Sequence, residues 1–198
     1  WIIIISTAIM CAALLAPLGA LPPFDTGYYG LVSASIQWIH VCGGLGAATL
    51  AIGILFAPQL SLQAALNPVS IAIVAFAILT AIPMVYADHA WLVSLGSPQS
   101  GKGVLWFLDA AIFIALAWTI RDCRPALALV FLTALLSTAA IMGLRIYINY
   151  SQAELLLRGG DSYAYLGLLL PFLTRFIGPA PLHRYAVVAA WAVSAGII

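Results

Sequence analysis

An all-α bundle of transmembrane helices is the fold this sequence predicts, on three observations. Of its 198 residues, 65% are hydrophobic and only 7% are charged, against roughly 25% charged in a water-soluble domain. The apolar residues form long continuous runs instead of alternating, which favours helices over barrel strands. The polar exceptions gather in loops or near one end of a run. A mean hydropathy of +1.13 points to lipid as the solvent. Lipid admits only backbone that satisfies its own hydrogen bonds, in helices or closed barrels.

About seven apolar segments follow one another in a single transmembrane domain, residues 1–198. The first covers residues 1–21 and is closed by Pro22 and Pro23. The second covers 30–56, closed by Pro58. The third, 69–87, contains Pro83, which should kink it near one end. The fourth covers 104–120. The fifth, 126–148, is opened by Pro125 at a helix-start position. The sixth, 163–177, is short and holds Pro171, so it is tilted, broken or re-entrant. The seventh begins near Tyr185 and is cut off. The full segments approach the ~20 residues that cross about 30 Å of hydrocarbon. The chain opens at Trp1 and stops at Ile198, both inside apolar runs, and so reads as a fragment of a longer membrane protein. The first run is also too long for a signal-peptide core of about 7–15 residues and lacks a basic start.

Basic residues set the orientation. Arg121, Arg124 and Arg184, with Arg175 close by, fall on one side; Lys102 and Arg158, with Arg145 close by, fall on the other. The richer side is expected in the cytoplasm. Loops 22–29, 88–103 and 149–162 then face outward. Asp25, Asp88, Glu154 and Asp161 share that outer side. A net charge of +1 with scattered cations gives nucleic-acid binding no footing. Cys11, Cys42 and Cys123 have no metal-ligand spacing and read as small buried hydrophobes or a loop thiol. No phosphate-binding, dinucleotide or zinc motif occurs, so no metal and no cofactor is expected.

Asp109 and Arg145 are the sharpest polar pair. Asp109 lies about one and a half turns inside the fourth segment, and Arg145 about one turn short of the outer end of the fifth. Antiparallel neighbours would bring both to one depth, where an ionised group needs a partner or a wet cavity. Arg145 would there hold an anionic group such as a phosphate; the plainer alternative is a structural ion pair or a snorkelling arginine. His40 sits deep in the second segment and reads as an interhelical hydrogen bonder, beside a stripe of Gly43, Ala47 and Ala51 suited to close helix contact. The glycine-rich loop 94–103 presents amides and Lys102 at a helix start, where a phosphate could sit, or is a plain turn. Loop 152–163 carries Arg158 and Asp161 among leucines and tyrosines, the composition of an interfacial segment. The candidate substrate-binding residues are Arg145, Arg158, Asp161, Lys102 and Asp109; no catalytic residue is assigned.

Two stretches carry a resemblance. Residues 96–108, GSPQSGKGVLWFL, look like the outer-loop pattern G-x-x-x-R-x-x-G-L-L that precedes a span in O-antigen ligase and O-antigen polymerase type membrane proteins. Residues 158–171, RGGDSYAYLGLLLP, resemble that family's G-(N/D)-P-N-x-x-A-x-Y-L-x-x-x-L-P stretch. Ser100 stands where the first pattern has arginine, and Asp161-Ser162 shortens the Asn/Asp-Pro-Asn of the second. The resemblance covers about half of the chain, in the family's amino-terminal part. It implies metal-independent transfer of a glycan from an undecaprenyl-diphosphate carrier, with further arginines and a histidine in a long outer loop past residue 198. The residues leave two other classes open. One is a small-molecule transporter, suggested by Pro83, Pro171 and the short sixth segment. The other is a non-catalytic subunit held to membrane lipid and protein partners by its small-residue stripes.

Overall fold

The computed structural model describes residues 1–16, 28–86 and 103–150, with Val188 and Ala192. These residues form helices and short turns, with no strand among them. Six α-helices occur: α1 Ile2–Leu14, α2 Tyr28–Phe56, α3 Pro58–Ala65, α4 Pro68–Ala81, α5 Val104–Ile120 and α6 Arg124–Tyr150. A 3₁₀ turn, Ile82–Val85, continues α4.

Prolines punctuate the chain. α1 ends at Leu14, short of Pro17, and so stops before the expected 21 residues. A proline ring clashes with the carbonyl four residues back and has no N–H to donate. α2 runs to Phe56 and yields to Pro58, as expected. Pro58 then starts α3, which lies between the second and third expected segments, with the proline in its first turn. Pro68 starts α4 in the same manner, and Pro83 closes it into the 3₁₀ turn.

Side-chain register fixes the directions. Trp38 of α2 donates its indole N–H to the Ala12 carbonyl at 2.7 Å, while a side chain at Gly53 would meet Ile2 at 2.7 Å. α1 and α2 are therefore antiparallel. α2 and α5 are parallel, because His40 meets Asp109 and Gly46 lies against Ile112 and Leu116. α4 and α5 are antiparallel: Ser70 reaches Ala111, and the Phe76 and Phe107 rings stand edge to face 5.0 Å apart. A short turn at Arg121 and Asp122 leads into α6, which packs chiefly on α1. α1, α2, α4 and α5 thus alternate in direction, and α3 and α4 meet at a bend of 53°.

Beside an apolar core that includes Leu50, Leu116 and Ile120, many polar side chains lie inside and many large apolar ones outside. Ser6, Thr7, Thr49, Ser61, Asn67, Ser70, Asp109, Thr119, Ser137 and Thr138 are all buried. Ile4, Leu45, Leu55, Phe56, Ile78, Leu79 and Leu136 are more than half exposed. Among the described residues one helix is long and apolar enough to cross a membrane, the stretch Ile36–Phe56 of α2; the bent pair α3–α4 is a second if counted as one span. At 13 and 17 residues, α1 and α5 are roughly 20 and 26 Å long.

The α2 contact face differs from the expected stripe. Gly43, Gly46, Leu50 and Gly53 are buried, and Ala47 and Ala51 are exposed. Both sets repeat at helical spacing, and the choice was made by where α5 and α3 lie. A side chain at Gly46 would stand 2.8 Å from Ile112 and 2.9 Å from Leu116. Glycine there lets the backbones approach closely.

Candidate functional site

The polar centre of the bundle lies between α2 and α5. Asp109 is the sixth residue of α5, roughly 8 Å along the helix from Val104, and is only 3% exposed. Its Oδ2 is hydrogen-bonded to Nδ1 of His40 on α2. The His40 ring remains partly accessible, with 16% of its side chain exposed. Bonding at Nδ1 leaves Nε2 as the nitrogen that can exchange a proton with something outside the pair.

Gly43 completes this arrangement. It lies one turn beyond His40 on the same face of α2, and a Cβ there would overlap the Asp109 carboxylate. The carboxylate therefore lies directly on the α2 backbone. His40 orients it from one side, and the missing side chain makes room on the other. His40 is the interhelical hydrogen bonder that its sequence position suggested.

The expected meeting of Asp109 with Arg145 falls on a side chain outside the described residues. Among the described residues Asp109 pairs with His40 of α2, which lies beside α5. Arg145 falls within α6, but its side chain lies outside the described residues, as do Lys102, Arg158 and Asp161 and the loops that carry them. The missed signal was spacing along parallel neighbours. His40 and Asp109 both stand some way inside the starts of segments two and four, and segments two apart in an alternating bundle run the same way.

A second polar cluster sits at the α3–α4 break. Asn67, 2% exposed, accepts a hydrogen bond from the Ser70 amide at 2.9 Å and caps α4. Its amide group donates to the Ala64 carbonyl at 2.5 Å and to the Ser70 hydroxyl at 2.7 Å. Ser70 in turn donates to the Ala111 carbonyl at 3.0 Å. Asn67 thereby satisfies backbone groups on both sides of the break, as buried non-helical backbone requires. Ala111 is the eighth of the 17 residues of α5, so Ser70 meets α5 near its middle, and the break, one turn earlier on the antiparallel α4, lies toward the Ile120 end.

No group of three or more His, Cys, Asp or Glu side chains that could hold a metal ion occurs among the described residues. Compared with models of protein families, with curated proteins and with solved structures, the chain matches none.

Proposed function

We propose that this chain belongs to an integral membrane protein of about seven spans in a bacterial inner membrane, which transfers a glycan from an undecaprenyl-diphosphate-linked donor at its outer face. Polar side chains turned inward and large apolar ones turned outward support the lipid setting, because water-soluble monomers rarely expose extended apolar surface. The alternating directions of α1, α2, α4 and α5 support the multi-span reading.

The position of His40–Asp109 carries the reaction. The pair lies toward the Val104 end of α5, and Asp109 directly follows the family-like stretch 96–108. A carboxylate that fixes an imidazole through Nδ1 prepares Nε2 to act as a general base. The acceptor hydroxyl would lose its proton to His40 Nε2 as its oxygen bonds the anomeric carbon. The carbon–oxygen bond to the carrier then breaks, and the electron pair leaves with undecaprenyl diphosphate. Arg145, Arg158 and Lys102 are the candidate cations for that diphosphate, and Asp161 is a candidate acceptor for sugar hydroxyls. His40→Gln and Asp109→Asn should abolish transfer in membranes supplied with a lipid-linked glycan, without loss of membrane insertion. Full activity in both variants would sink the assignment.

The broken span at Asn67 favours a second reading, a small-molecule transporter. Interrupted helices commonly build transport sites. Substrate uptake that requires His40 or Asn67, in membranes that transfer no glycan, would favour it.

A further inference from the structure

We propose that the groove at the Ile120 end of the bundle binds an anionic phospholipid. The proposal rests on the membrane setting given above, but not on glycan transfer. The groove has a volume of about 540 Å³ and opens between the α3–α4 break and the end of α5. Leu62, Leu66 and Trp118 line it with apolar surface, Asn67 contributes a polar edge, and Arg121 adds a cation. Leu62 and Leu66 are 42% and 63% exposed, so this wall is free to meet an acyl chain.

Arg121 is arranged to accept an anion. Its guanidinium stacks over Trp118, 4.4 Å from the ring centroid, which holds the fork in place. Asp122, 91% exposed on its side chain, takes only the Nε edge at 3.2 Å. The terminal NH₂ groups of Arg121 make no hydrogen bond among the described residues. A phosphodiester can therefore meet them bidentately. Arg124, also exposed, follows one turn later and adds a second positive charge at this end. An apolar trough that ends in a tryptophan and an arginine has the polarity of a lipid, chains along the bundle and headgroup at its rim. Phosphatidylglycerol fits this chemistry, and a zwitterionic lipid fits it less well because its own cation competes for the rim.

The test uses the full chain, extracted from membranes and placed in nanodiscs of mixed phosphatidylglycerol and phosphatidylcholine. Native mass spectrometry then reads the retained lipid. Phosphatidylglycerol should be enriched about fivefold over phosphatidylcholine, the scale of one basic residue at a membrane surface. Arg121→Gln should remove the enrichment. Leu66→Gln should lower retention of both lipids, and excess inorganic phosphate should not displace the bound lipid. Equal retention of the two lipids, unchanged enrichment in Arg121→Gln, or displacement by phosphate would each overturn the site while leaving the membrane reading intact. A chain that washes off membranes in alkaline carbonate would overturn both.

Discussion

Asp109 of α5 lies against the α2 backbone at Gly43, one turn from His40, the residue whose ring its carboxylate bonds. The two residues meet across 66 positions of sequence and leave no space for a Cβ. Gly43→Ala must therefore push the carboxylate aside and misalign it with His40. Overpacking of this kind costs about 1–3 kcal/mol, more than the roughly 1 kcal/mol that alanine gains over glycine in a helix interior. Gly44 has nothing within 4 Å of a built Cβ, so Gly44→Ala should be neutral or mildly stabilising. Thermal unfolding in detergent checks the contrast, and equal melting temperatures for the two variants would contradict the close approach.

The His40–Asp109 pair should behave as a unit. Removing one partner strands the other in an apolar interior, at a cost of about 3–5 kcal/mol for a buried charge. His40→Leu and Asp109→Leu should each destabilise strongly, and the double variant by less than the sum. A double-mutant cycle in detergent measures the coupling. Strict additivity would mean that the two side chains do not interact.

Asn67 holds the α3–α4 break through one accepted and two donated hydrogen bonds. Asn67→Ala removes all three and leaves the Ser70 amide uncapped, so a loss of roughly 2–4 kcal/mol is expected. Asn67→Ser keeps an oxygen for the cap but lacks the amide donors, and should fall between the alanine variant and the wild type. Chemical denaturation of the three proteins gives the order; an alanine variant as stable as the wild type would refute the role of the break.

Trp38 ties the end of α1 to α2 through one 2.7 Å bond to Ala12. Trp38→Phe keeps most of the ring and loses that donor. A cost of about 1 kcal/mol is expected, with faster amide exchange near the end of α1. Unchanged exchange there would show that the indole N–H contributes nothing to the helix end.

The sequence by itself determined the all-α class, the end of the second helix at Pro58, and the break in regular helix near Pro83. These follow from composition and from local chain stereochemistry, which act within a few residues. Within the first apolar run α1 ends at Leu14, because Pro17 interrupts helix while hydropathy continues past it. The sequence left α3 unread, since eight residues between two prolines carry little periodic signal. The choice of Gly43, Gly46 and Gly53 over Ala47 and Ala51 belonged to the tertiary structure. A helix apolar all round offers several faces of similar small residues, and only its neighbours decide which is covered. The same reason explains Asp109. Its need for a partner was legible in a charge set within an apolar run; segment order makes α2 and α5 parallel, but only the tertiary structure seats them side by side and so selects His40.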